Sequence, residues 1–204
     1  MGIVTADIST TLDGFGSGPN QRLERPFGDL DNAPLHAWMF EHGEENAPEV
    51  AGILGAGAFV MGRNMFSAGR GPWDLEWRGW WGEEPPYHAP VFVLTHHERA
   101  PLEMSGGTTF HFVTDGLEAA LERASAAAGE RNVAIAGGAS TVNAALRAGL
   151  LDELRWHVAP VVSGLAADRA HGGSRLFDGV PAHGLEPVSV RHTPHVTHLT
   201  YRRG

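Results

Sequence analysis

Val133-Ala134-Ile135-Ala136-Gly137-Gly138-Ala139-Ser140-Thr141 is the stretch whose reading decides the fold class. Four apolar residues, too few for a helix, end on two adjacent glycines. A run of helix formers, Ala139 to Ala148, starts at once and closes on Gly149. A short apolar strand, a glycine turn and a helix in that order are half of a β–α–β crossover, the unit from which helix-covered parallel sheets are built. The pattern recurs upstream, where the apolar run Ala58 to Met61 breaks on Gly62 and Arg63-Asn64 leads into another helix. It recurs again after Thr109 to Val113. There Asp115 can cap a helix with Glu118 three residues on, as in a capping box, with Leu117, Ala120, Leu121 and Ala124 as the buried stripe and Gly129 at C′.

Outward from these units, Ile3 to Thr10 alternates and reads as a strand, and the glycine-rich segment 11–20 reads as a loop without regular structure. Pro34 to His42 reads as a short helix with Leu35, Trp38 and Met39 on one face. Val91 to Thr95, Leu154 to Val162, Leu185 to His192 and Val196 to Arg202 read as strands. The expectation is an α/β fold, three-layered (α/β/α), with a mostly parallel sheet and an antiparallel C-terminal edge, in one domain over residues 1–204. Residues 67–90 read as irregular. Trp73, Trp77, Trp80 and Trp81 stand among Gly and Pro there, either as a flat lid over a heterocycle or packed into a core or subunit interface.

Composition removes several classes of function. All 15 basic residues are arginine and the net charge is −9, which argues against a nucleic-acid surface. Without lysine there is no Schiff-base chemistry, and without cysteine neither a disulfide framework nor a thiolate metal site. No G-x-S-x-G elbow is present. His192, His195 and His198, spaced by three on a strand, would not converge on one ion. No signal peptide and no membrane-spanning run is visible, so the cytoplasm is the expected compartment.

An anionic ligand must then be held by arginine, histidine or backbone N–H groups. The two strand–glycine–helix turns suit that task, because glycine lets the backbone come close and a helix start points free N–H groups outward. Gly62, Arg63 and Asn64 in one, and Gly137, Gly138, Ala139, Ser140 and Thr141 in the other, are the candidate cofactor-binding residues. Both turns could equally be ordinary connections whose glycines only pack closely.

Ser9-Thr10-Thr11-Leu12-Asp13-Gly14-Phe15, Met61-Gly62-Arg63, Val93-Leu94-Thr95-His96-His97, Ala136-Gly137-Gly138-Ala139, Gly149-Leu150-Leu151-Asp152-Glu153-Leu154, His157-Val158-Ala159-Pro160-Val161-Val162 and Arg175-Leu176-Phe177-Asp178-Gly179 form an ordered series over nearly the whole chain. That series resembles the reductase domain of the bacterial bifunctional riboflavin-biosynthesis deaminase–reductase and, more distantly, dihydrofolate reductase. The resemblance implies a dihydrofolate-reductase-like fold, NADPH as cofactor and a small heterocyclic substrate. It implies that Gly62, Arg63, Gly137, Gly138, Ala139 and Ser140 grip cofactor phosphates, and that Thr95, His96 and His97 lie near the adenosine 2′-phosphate. Two positions depart from the family's pattern. Met65 stands where a threonine is common, and Phe15 where the riboflavin-pathway enzymes usually carry a basic residue for a substrate phosphate. The deaminase zinc motif is absent.

Near the nicotinamide the candidate catalytic residue is Asp13, to orient substrate or pass a proton through water. It serves equally as a turn aspartate. Asp29 and Asp31 stand roughly where dihydrofolate reductase keeps its pterin-binding carboxylate, or at a helix N-cap. Beside an NADPH-dependent reductase of a pteridine, pyrimidine or flavin-related substrate, two readings stay open. One is a non-enzymatic NADPH- or heterocycle-binding sensor or scaffold, and the other a dihydrofolate or pterin reductase. The apolar faces of the C-terminal strands suit a homodimer.

Overall fold

The structure, a computed structural model, describes residues 2–165 and 173–204. Its strands are β1 (Val4–Thr10), β2 (Phe15–Ser17), β3 (Ala58–Gly62), β4 (Pro90–Leu94), β5 (Leu102–Glu103), β6 (Thr109–Val113), β7 (Val133–Ile135), β8 (Glu153–Val158), β9 (Ser174–Arg175), β10 (Leu185–Thr193) and β11 (Val196–Arg203). Its helices are α1 (Ala33–Phe40), α2 (Ala47–Leu54), α3 (Arg63–Phe66), α4 (Leu117–Ala128) and α5 (Ala139–Ala148). Nine strands form one sheet in the order β10-β11-β8-β1-β7-β3-β4-β6-β5. From β8 to β6 all pairs are parallel, while β11 on β8, β10 on β11 and β5 on β6 are antiparallel. The expected parallel sheet with an antiparallel C-terminal edge is therefore what forms.

Parallel strands covered on both faces need apolar side chains on both, and β3, β4 and β7 are nearly continuous apolar runs. On one face α4 and α5 bury Ala6, Ile8, Val60, Phe92, Ile135 and Leu154. On the other, Phe59, Met61, Val91, Val93 and Phe110 are covered by Phe66, Tyr87, Trp73, Trp77 and Trp81. The tryptophan-rich stretch is thus a core covering. It is fixed by Trp77 Nε1 donating to the Phe66 carbonyl at 2.8 Å and by Arg99 Nη2 donating to the Leu75 and Trp77 carbonyls at 3.0 and 2.7 Å. No described helix is long and apolar enough to cross a membrane.

Several local expectations are corrected. The 11–20 loop contains β2, because Gly14 turns back at φ +88° and Thr11 Oγ1 accepts the Phe15 N–H, which lays Phe15 beside Arg175 of β9. Asp115 does not cap α4: Gly116 occupies the cap position at φ +92°, and the carboxylate pairs instead with Arg123 at 2.6 Å. The helix after Gly62 is a single turn, too short for an appreciable dipole, so anion binding there falls to side chains. His192, His195 and His198 do not share a strand: His195 lies in the β10–β11 turn, stacked on His42 at 3.6 Å, and His198 is buried.

His198 belongs to a buried polar chain under Trp38. Asn46 Nδ2 donates to the carbonyls of Trp38 and His42, which leaves Asn46 Oδ1 to accept from His198 Nε2 at 2.9 Å. His198 Nδ1 must then accept from His157 Nδ1 at 2.8 Å, so the remaining His157 nitrogen, Nε2, faces Asp7 Oδ1 at 3.4 Å. Both atoms are buried without a hydrogen-bond partner among the described residues, and Arg155 Nη1 lies 3.7 Å from Asp7 Oδ2. Burial, and then the charge on His157, pull His198 down to about 4. Burial likewise pulls His36 down to about 4, against the pull of the Asn32 carbonyl and with that of His157. Unfolded histidine titrates near 6.5, so between those values the unfolded chain binds more protons and stability must fall on acidification. The expected result is a urea midpoint clearly lower at about pH 5 than at about pH 7, with the slope reduced in His36→Leu; a flat midpoint would contradict the assignment.

Candidate functional site

The two glycine turns lie side by side at the carboxyl ends of the neighbouring strands β3 and β7. Gly62 N–H donates to the Gly137 carbonyl at 3.1 Å, and a Cβ on Gly62 would stand 2.7 Å from Thr141 Oγ1. The Gly137–Gly138 peptide is cis, and Gly137 has φ +101°, a conformation glycine adopts without a Cβ penalty. Gly138 caps α5 without a side-chain hydrogen bond, and Gly138 and Ser140 are exposed while Ala139 and Thr141 are buried. The turn thus presents backbone outward and anchors itself by Thr141.

Beside it opens a cleft of about 430 Å³ at the carboxyl ends of β3, β4 and β6. Arg63, Asn64, Arg70, Thr95, His96 and His97 contribute its polar lining, and Leu94, Val113 and Leu117 its apolar wall. Among the described residues no aspartate or glutamate lines it. Arg63 Nε is buried without a hydrogen-bond partner. Burial, and then the like charge of Arg70, lower the Arg63 pKa, and among the described residues no carboxylate pairs with either guanidinium group. The 95–97 turn is preset: Thr95 Oγ1 accepts the His97 N–H at 3.1 Å, and Trp73 Nε1 donates to the His97 carbonyl at 2.7 Å. A phosphate ester with an aromatic or sugar neighbour fits this donor set and its apolar wall.

The structure thus brings Arg63, Asn64, Thr95, His96 and His97 together around one cleft and joins Gly62 and the 137–141 turn to its rim by hydrogen bond. Arg70, Thr114 and Gly116, which also line it, were not expected from sequence. Arg70 sits in the irregular stretch, where periodicity gives no signal; only its charge in a lysine-free chain marked it.

Asp13 lies apart from that cleft's lining, in the turn after β1. Its Oδ1 accepts the Ser163 N–H at 2.9 Å and its Oδ2 the Ser163 hydroxyl at 2.5 Å. Burial raises its pKa, but the Ser163 hydroxyl, the Ser163 amide and the Thr11 hydroxyl outweigh it and hold the group at about 2. It is a fixed carboxylate, able to accept a hydrogen bond from a ligand and unsuited to give a proton at neutral pH. Asp29 and Asp31 are both exposed: Asp29 accepts from Asn20 Nδ2, and Asp31 accepts the Ala33 N–H at the start of α1. Neither is a buried pterin-holding carboxylate. Phe15 is fully buried, with the Arg175 guanidinium 4.7 Å over its ring.

Residues 3–199 match the family described as the RibD C-terminal domain. No curated protein matches. Among solved structures the fold is similar to that of a riboflavin biosynthesis protein of provisional assignment from Shewanella sp. PV-4. The identity is 21%, with a TM-score of 0.57, over 99% of both chains. It is also similar to a diaminohydroxyphosphoribosylaminopyrimidine deaminase/5-amino-6-(5-phosphoribosylamino)uracil reductase of Thermotoga maritima, at 15% identity and TM-score 0.55, over 100% of this chain and 57% of that one. A third is dihydrofolate reductase of Enterococcus faecalis complexed with NADP(H) and RAB-propyl, at 14% identity and TM-score 0.54, over 99% and 96%. The fold is thus dihydrofolate-reductase-like.

Proposed function

Since the chain belongs to the RibD C-terminal domain family, we propose that it is an NADPH-dependent reductase of a small pyrimidine-, pteridine- or flavin-related heterocycle on the riboflavin pathway. The observation that carries this reading is the cleft that Arg63 and Arg70 line with no carboxylate among the described residues, Arg63 Nε being buried and unpartnered among them. NAD offers a neutral 2′-hydroxyl there; NADP offers a dianion that satisfies both guanidinium groups.

In this reading Arg63, Arg70, Thr95, His96 and His97 hold the 2′-phosphate end. Asn64 sits at the edge, where Arg70 Nη1 already reaches its Oδ1 at 3.5 Å. Gly62, Gly137, Gly138, Ala139, Ser140 and Thr141 let the backbone approach the pyrophosphate. When bound, NADPH supplies a hydride. Asp13, held ionised by Ser163, orients the heterocycle by accepting its N–H groups, and the proton comes from water. Phe15 is core and offers no charge to a substrate phosphate; the cation at that position is Arg175, whose guanidinium lies 4.7 Å over the Phe15 ring. The partner is this small molecule. A homodimer through the outer strands, where Val188 and Val190 are 46% and 68% exposed, belongs to the same proposal and is read from the mass in sedimentation.

The test is a tryptophan-fluorescence titration with NADPH and with NADH, followed by heterocycle screening at 340 nm. The expected result is tighter binding of NADPH by at least about tenfold, as one charge-assisted contact supplies, and oxidation with at least one substrate. Binding of neither cofactor would remove the reading. NADPH binding that no heterocycle discharges would leave the binding-protein alternative.

A further inference from the structure

Trp73 lies outside the cleft's lining yet touches both of its walls. Its ring carries the Arg63 guanidinium with Cζ 4.1 Å from the centroid, and its indole N–H donates to the His97 carbonyl at 2.7 Å. Arg63 belongs to α3, after β3, and His97 to the turn after β4. One side chain from the irregular stretch therefore fixes the spacing between the cation on one wall and the turn on the other. The ring is itself immobilised, edge-on to Phe66 at 5.7 Å and to Phe112 at 5.0 Å, with Arg99 Cζ 5.7 Å from its centroid.

Arg63 needs such a support. Its Nε is buried without a partner among the described residues, and the like charge of Arg70 acts on it. Among its described contacts no carboxylate holds the guanidinium in place, and the arginine could relieve the repulsion by swinging to solvent. A planar guanidinium stacked on an indole face loses that freedom without losing its donors, so they stay aimed at the cleft.

From this geometry we propose that Trp73 is the positioning residue that sets selectivity for the phosphorylated cofactor. It acts through Arg63 and the His97 carbonyl, and it touches no ligand. The inference deepens the reading of the cleft given above and rests on it. Because the indole supports only the 2′-phosphate end, its removal must weaken NADPH and spare NADH, whereas a side chain that merely stabilised the fold would affect both alike.

The experiment is calorimetric titration of wild-type protein, Trp73→Leu and Trp73→Phe with NADPH and NADH, and with adenosine 2′,5′-bisphosphate against adenosine 5′-monophosphate. Trp73→Leu is expected to lower the NADPH:NADH affinity ratio about tenfold, with the bisphosphate:monophosphate ratio falling in parallel. Trp73→Phe keeps a ring face but loses the N–H, and is expected to lower both ratios about threefold, which keeps the test available should Trp73→Leu not fold. An unchanged ratio in a variant that still binds, or equal loss of both cofactors, overturns the inference while leaving the NADPH reading intact. Wild-type protein that does not distinguish the two cofactors overturns both.

Discussion

Arg63→Ala is expected to weaken NADPH binding about 10- to 100-fold and to leave NADH binding within about twofold. The lower figure is one charge-assisted hydrogen bond and the upper figure two. The loss should shrink as salt is raised, since the partner is an exposed dianion. Arg63→Lys should recover little of it, because an ammonium neither stacks on Trp73 nor presents a fork. The ligand-free protein should be no less stable than wild type. Arg63 is partly desolvated beside Arg70, and its removal relieves a repulsion that only an anion repays. A variant with unchanged affinity for NADPH would show that the converging arginines are structural.

The second large effect lies at the buried pair. Asp7→Leu leaves His157 Nε2, under Trp38, without the carboxylate it faces at 3.4 Å, and removing one partner of a buried charged pair costs about 3–5 kcal/mol. Asp7→Asn is the informative companion. A side-chain amide can donate to His157 Nε2, which satisfies the chain through His198 to Asn46. It is expected to cost less than about 1.5 kcal/mol, the scale of a single neutral hydrogen bond. Chemical denaturation of both variants decides. If asparagine is as damaging as leucine, the ionic form is what the fold needs; if both are mild, no proton bridges the pair.

The fold was legible where a short apolar run ended on glycine, because that punctuation is local. Ala139 to Ala148 with Gly149 at φ +65° forms as read. It was illegible where an element is held from far away. α2 buries none of its residues and so shows no stripe; Arg191 on Glu49 and Arg155 on the Gly52 carbonyl hold it in place. β2 and β9 are too short to register except through each other. The same division governs the site. The glycine turns and Arg63 announce themselves in sequence, whereas Arg70 enters the cleft from an irregular segment, and the serine that fixes Asp13 is 150 positions away. The capping box at Asp115 looked complete, but Gly116 displaced it and Arg123 took the carboxylate.

The place of β1 bears on how the chain is made. Val4 pairs with Val133 and Thr5 with Glu153, so β1 is made before every other strand of the sheet, lies in its interior, and has neither neighbour until residues 133–135 and 153–158 follow. A growing chain carries β1 with both hydrogen-bonding edges open, and β3 and β4 can pair with each other well before it is inserted. Closure of the sheet is thus a late event in synthesis, and truncation before β8 leaves one edge of β1 open for other chains to pair with.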